Sequence, residues 1–282
     1  MKARQVSDPI AFHGEGPLWD APRNRLLFVD MLAGAVVALH DGAVDRHPVG
    51  SVAAVIRPRS RGGFVLAVER GITFADEALE VVTPLPEVFA STSIRMNEGG
   101  CDPHGRLYVG TMAYDERPGA GTLYRVDPDL VVHVALPSVT VSNGLQWSAD
   151  GTLVFYNDTP TGRVDVFDFD AATGEFSARR TFVTLPDGAV PDGMAIDSED
   201  GIWVAVWGGS TVLHYDASGL LADIVELPVT QVTACAFGGP DLRTLFITTS
   251  RLAIAEGTQP LAGSIFSIDA GVRGAIPFPF AG

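Results

Sequence analysis

Ser198-Glu199-Asp200-Gly201 runs directly into Ile202-Trp203-Val204-Ala205. The polar half is a turn, because Asp and Gly tolerate positive φ, and the apolar half is a short strand. The same device stands at Asp20–Arg25 before Leu26-Leu27-Phe28-Val29, and at Arg61-Gly62-Gly63 before Phe64-Val65-Leu66-Ala67. It stands again at Asp102-Pro103-His104-Gly105, at Ser148-Ala149-Asp150-Gly151 and at Pro240-Asp241-Leu242-Arg243, each followed by its own apolar run. With Asn24, Gly62, Gly105, Gly151, Gly201 and Arg243 as markers, the spacings are 38, 43, 46, 50 and 42 residues. Most copies carry a second hairpin signal, such as Leu39-His40-Asp41-Gly42 or Tyr215-Asp216-Ala217-Ser218-Gly219; the second copy shows it only weakly, near Asp76-Glu77. Two hairpins in a period of about 40–50 residues make one four-stranded blade. Six copies predict an all-β six-bladed β-propeller of antiparallel blades around a central channel. A β-sandwich needs about seven strands, whereas this pattern supplies roughly twenty-four.

The reading gives a single domain over residues 1–282, with blades at roughly 12–50, 51–94, 95–136, 137–186, 187–228 and 229–282. An N-terminal strand is expected to close the last blade, which removes exposed edges. Composition agrees: 31 glycines and 19 prolines supply many turns, and 46 % hydrophobic residues allow a large core. The formal charge of −15 repels phosphate backbones and anionic lipid, so neither nucleic acid nor a membrane surface is an expected partner. The first residues lack an apolar core of the signal-peptide kind, and no run of about 18 apolar residues exists. A soluble cytoplasmic protein is expected. Cys101 and Cys235 form no CxxC pair. They fall on the inner strands of blades three and six, too far apart for the ~5.5 Å Cα separation of a disulfide.

The innermost strand of each blade lines the channel, and it precedes the marker turn. Eight or nine residues upstream of the markers stand Glu15, Asn97, Asn143 and Asp192; blades two and six have small residues there, around Ala53-Ala54 and Thr233-Ala234. Asn-Gly and Asp-Gly are ordinary turn dipeptides, but four oxygen-bearing side chains in register on four blades point to one end of the channel. Two carboxylates converging there repel each other unless a cation lies between them. An all-oxygen set suits a hard divalent ion such as calcium, magnesium or manganese. No GxSxG, HExxH or GxxxxGK[ST] motif is present, which argues against a serine hydrolase elbow, a zincin or a P-loop. The six histidines are scattered; His13, beside the site, reads as a turn histidine, with a group supporting the site residues from behind as the alternative.

Gly14-Glu15-Gly16-Pro17-Leu18-Trp19, Arg95-Met96-Asn97-Glu98-Gly99, Ser142-Asn143-Gly144-Leu145 and Pro191-Asp192-Gly193-Met194-Ala195-Ile196-Asp197 resemble the signatures of the SMP-30/gluconolactonase (regucalcin-like) family of metal-dependent lactonases. Gly110-Thr111-Met112 and Cys235-Ala236-Phe237-Gly238-Gly239 match as well, so the resemblance spans nearly the whole chain. It implies a six-bladed propeller holding one divalent metal through Glu15, Asn143 and Asp192. Calcium is the expected ion; zinc, magnesium, manganese and iron(II) also occur in the family. It implies substrate contacts from Arg95 and Asn97, and from Asp115, which falls where relatives carry an acidic residue in a lid-like loop. The implied reaction is hydrolysis of a small sugar lactone, an aldonolactone such as gluconolactone, to the hydroxy acid. The metal would polarise the carbonyl, and Asp192 or a metal-bound water would activate the nucleophile. Arg95 could alternatively pair with Glu98. Two other readings share the metal site: a phosphotriesterase- or aryl-esterase-like hydrolase, and a non-enzymatic calcium-binding or interaction propeller.

Overall fold

A computed structural model describes residues 1–282, apart from the side chains of Pro84 and Asp187. Six four-stranded antiparallel sheets stand around a channel as the six blades of a β-propeller. Their innermost strands, in blade order, are Gly14–Asp20, Ala53–Pro58, Ile94–Cys101, Ser142–Trp147, Val190–Ile196 and Val232–Gly238. Within blades 1 to 5 each strand pairs with the next in sequence, as hairpin connections demand. Blade 6 is built from both ends of the chain. Arg4–Gln5 forms its outermost strand, pairing Arg4 with Ser267 and Gln5 with Phe266.

The marker turns are where the sequence places them. Gly105 and Gly151 adopt φ of 76° and 68°, a conformation that suits a residue without Cβ. In blade 5 the left-handed residue is Asp200 rather than Gly201, and in blade 6 it is Leu242 rather than Arg243. The second strand of each blade is sandwiched between neighbouring blades and reads as a continuous apolar run. Ile202–Trp207 in blade 5 is the clearest case, with Trp203 fully buried.

A C-terminal strap crosses the far mouth of the channel. Ala275 N–H donates to Ile196 of blade 5 (3.1 Å), Phe280 N–H to Pro58 of blade 2 (2.8 Å) and Ala281 N–H to Gly105 of blade 3 (2.9 Å). Phe280 is fully buried in the core of blades 2 and 3. Among the described residues no helix is long and apolar enough to cross a membrane.

All six innermost strands break register at one level. The breaks lie between Glu15 and Leu18, Ala53 and Val55, Met96 and Gly99, Ser142 and Leu145, Pro191 and Met194, and Val232 and Ala234. Such a β-bulge leaves a residue out of the ladder and re-aims its side chain. A ring of six bulges therefore lines the channel near one end, and the residues singled out in the sequence sit on it.

Candidate active site

Asn97, Asn143 and Asp192 lie inside three of the six bulges, Glu15 is the last paired residue before a fourth, and each is only 5–6 % exposed. Glycine follows three of these residues: Gly16 adopts a φ of 49°, and packing explains the other two. A Cβ on Gly193 would lie 2.5 Å from Ala234 Cβ, and one on Gly144 would lie 2.7 Å from Asn157 Nδ2 and 2.9 Å from Asp192 O. These glycines let adjacent inner strands close up and bring their bulges together. Blade 3 departs from the rule, with Glu98 where its neighbours have glycine. In blade 6, Thr233 donates to Gly14 O (2.6 Å), so that bulge ties the ring shut instead of serving the site.

The electrostatics of this cluster are unbalanced. Burial, then Asp192 and Glu98, push the Glu15 carboxyl well above its ordinary range. Burial, together with Glu98, does the same to Asp192, against the opposing hydrogen bond from Asn143. Asn143 Nδ2 donates to Asp192 Oδ1 (2.5 Å) and to Thr159 Oγ1 (3.1 Å), which leaves Asn143 Oδ1 buried without a partner. Buried polar atoms rarely stay unpaired. Two crowded carboxylates beside an orphaned carboxamide oxygen form a set of donors that a hard divalent cation would complete. Among the described residues no three His, Cys, Asp or Glu side chains cluster closely enough to hold an ion by themselves, so the carboxamide is needed.

Arg95 lies in the same layer, buried by 94 % of its surface. Its Nη1 donates to Asn97 Oδ1 (2.7 Å), Met96 O (3.0 Å) and Met31 Sδ (3.0 Å). Asn97 in turn donates through Nδ2 to Ser142 O (2.9 Å), which fixes its amide. Arg95 makes no ion pair among the described residues. Glu98 pairs instead with Arg57 from blade 2 (3.1 Å), which disposes of the Arg95–Glu98 alternative. Burial lowers the pKa of Arg95, which Tyr114, Glu15, Glu116 and Asp192 oppose.

Asp115 is not drawn into this cluster. It lies just past the strand Leu107–Ala113, whose end pairs Met112 with Arg95, so it stands at the same end of the channel. It is exposed there and bonded to Arg117 (3.0 Å). His13 needs correcting: it is a buried residue bridged to Ser250, not a turn histidine, because the chain enters blade 1 beneath the loop after blade 6. Arg57 carried no sequence signal, since its partner Glu98 comes from another blade. Deeper along the channel lies an enclosed cavity of about 90 Å³, lined by Arg57, Glu98, Cys101, Trp147, Cys235 and Phe278. That is room for a few waters. Both cysteines are buried and free.

Comparison with known proteins follows the same outline. Residues 13–251 match the profile of the family described as "SMP-30/Gluconolactonase/LRE-like region". Regucalcin of Danio rerio is 35 % identical over 280 residues, 95 % of each chain. Bacillus subtilis YvrE, named as a candidate sugar lactone lactonase, is 33 % identical across 100 % of this chain and 99 % of its own. The crystal structure of regucalcin from Agrobacterium tumefaciens, described as a calcium-binding protein, superimposes with a TM-score of 0.91 at 26 % identity, covering 99 % of this chain and 97 % of that one. By profile, identity and fold, this chain belongs to the SMP-30/gluconolactonase/LRE-like family.

Proposed function

We propose that this protein hydrolyses a small sugar lactone, with a divalent cation, calcium first among the candidates, held by Glu15, Asn143 and Asp192. The observation that carries this reading is the uncompensated cluster: two buried carboxylates held out of their ordinary range and an unpartnered Asn143 Oδ1 in one ring of bulges. The names of the relatives supply the reaction class. When bound, such a cation supplies Lewis-acid polarisation of the lactone carbonyl.

The chain's own residues do the rest. Only Nη1 of Arg95 is bonded within the protein among the described residues, so its remaining donors are free for ring hydroxyls or the carbonyl. Asn97 keeps one N–H and one lone pair, and its amide is already oriented. Holding the ring this way removes its rotational freedom before reaction. Asp192 Oδ2, the oxygen not bonded to Asn143, takes the proton of the attacking water. The hydroxide adds to the carbonyl carbon, the ring C–O bond breaks, and Asp192 returns the proton to the departing ring oxygen. Asp115 would meet outer hydroxyls of the substrate from the rim.

A calcium-binding propeller without activity would need the cation ligands but not the free donors of Arg95. The test is a panel of lactones given to metal-stripped and metal-restored protein, read by acid release. Hydrolysis that follows the metal supports the reading, and none in either state overturns it.

A further inference from the structure

His13 stands two residues before Glu15 and takes no part in the hydrogen bonds of Arg95, Asn97, Asn143 and Asp192. Its backbone is fixed at both ends: N–H donates to Asp30 Oδ1 (2.9 Å) and C=O accepts from Met31 N–H (2.8 Å). The ring is buried, only 5 % of the residue being exposed, and it meets Trp207 edge-on at 5.9 Å between centroids. Its Nδ1 lies 2.8 Å from Ser250 Oγ.

Ser250 is the polar partner of the ring, and the direction of this hydrogen bond sets which ring nitrogen carries the proton. Its Oγ already accepts Leu252 N–H (2.9 Å), and its own hydrogen can go to His13 Nδ1 at 2.8 Å or to Phe12 O at 3.4 Å. When that hydrogen goes to Nδ1, the nearer of the two acceptors, the ring proton sits on Nε2. The opposite tautomer would aim the Nε2 lone pair at Glu15 Oε1, 3.9 Å away. That separation is too long for a hydrogen bond. In that tautomer Nε2–H is a donor without a hydrogen-bond partner among the described residues, on a buried ring, 3.9 Å from Glu15 Oε1. An imidazolium would carry the same N–H, so the donor does not depend on the charge of the ring.

We infer that His13 is a substrate-contacting residue whose Nε2–H donates to an oxygen of a hydroxylated lactone at the Glu15 side of the pocket. The inference rests on the lactonase reading and extends it to specificity: the substrate is held by donors from blade 1 as well as from blade 3. A plain lactone offers no hydroxyl to this donor.

His13→Phe keeps a ring against Trp207 and deletes the donor, and Ser250→Ala releases the tautomer. Losing one neutral hydrogen bond lowers kcat/KM on gluconolactone by about tenfold, with γ-valerolactone changed less than about twofold. Calcium affinity, measured by calorimetry, stays within a factor of about two in both variants, because neither residue is a proposed ligand and the 3.9 Å from His13 Nε2 to Glu15 Oε1 is too long for a hydrogen bond. Independently of activity, ¹⁵N-histidine NMR shows the Nε2–H tautomer at His13 in the wild type and a shift toward Nδ1–H in Ser250→Ala. Equal loss on both lactones, a collapse of calcium affinity in His13→Phe, or an Nδ1–H tautomer in the wild type would each overturn the inference. If wild-type protein hydrolyses no lactone, the lactonase reading falls with it; if it does and His13→Phe loses nothing, this inference alone falls.

Discussion

Asp192 and Asp197 lie five residues apart in blade 5, both buried, and their surroundings push their acidities in opposite directions. Burial alone would raise Asp197. Hydrogen bonds from His214 (3.2 Å), Trp203 Nε1 (3.0 Å) and the backbone of Glu199 and Gly201 (2.9 Å each) outweigh it and hold the carboxyl below its ordinary range. Asp192 is raised by burial and by Glu98, with Asn143 and Gly193 as its opposing donors. Blade 1 repeats the contrast. Asp30 accepts from Phe12 N, His13 N and Arg46, while Glu15 receives only the N–H of Gly16. Burial does not separate these two kinds of carboxylate; the supply of donors does. A saturated carboxylate fastens loops together. An undersupplied one keeps its attraction for a cation or a proton.

The sharpest break of this comparison is to neutralise each member in turn. Asp192→Asn or Glu15→Gln lowers lactone hydrolysis by on the order of 10³-fold, the scale of removing electrostatic support from a developing charge. Cation affinity falls with it, as it does in Asn143→Ala. Metal-free Asp192→Asn and Glu15→Gln melt no lower than metal-free wild type, since a buried repulsion is relieved. Calorimetry giving wild-type affinity in all three would place the cation elsewhere.

Arg95→Ala tests the proposal that this neighbour holds substrate rather than metal. The loss of charge-assisted hydrogen bonds worth ~1.5–3 kcal/mol lowers kcat/KM on sugar lactones by about 10²-fold. The loss is smaller on a lactone without ring hydroxyls, and cation affinity changes little, because a guanidinium carries only donors. Loss of the metal in this variant would make Arg95 structural.

Asp197→Asn has the reverse signature: stability falls by about 2 kcal/mol, while each folded molecule keeps its activity. A carboxyl whose folded pKa is depressed contributes stability above its unfolded value of ~3.9, lost as pH falls through the lower folded value. Urea melts of wild type and variant should therefore differ at pH 7 and converge under stronger acid. A gap that persists at pH 2 would mean that the charge of Asp197 contributes nothing.

The smallest effect is no signal at all. Burial pushes both thiols up to about 12. The strap Ala275–Phe278 covers the cavity they line. An aromatic disulfide reagent should find neither cysteine in native protein and both after unfolding. Rapid native labelling would show that the far mouth of the channel opens.

The repeat was legible because every blade is a local object. Turn residues that need positive φ and apolar runs that need burial recur with the blade, so their spacing reports the architecture. The four oxygen-bearing channel residues were legible for the same reason: they occupy equivalent places in successive copies. Asp197 and Asp192 share the same kind of Asp-rich segment, and nothing in their spelling tells the saturated one from the undersupplied one. That distinction depends on Trp203 and His214 reaching Asp197, and on Glu98 arriving beside Asp192 from two blades away. The Arg57–Glu98 pair, the seating of His13 against Ser250 and the orphaned Asn143 oxygen likewise join residues of different blades or of the two ends of the chain. Local pattern determined which residues face the channel, because strand and turn preferences act over a few neighbours. Only the closed ring decided which of them meet, because charge and hydrogen-bond supply act through space between residues that the sequence keeps far apart.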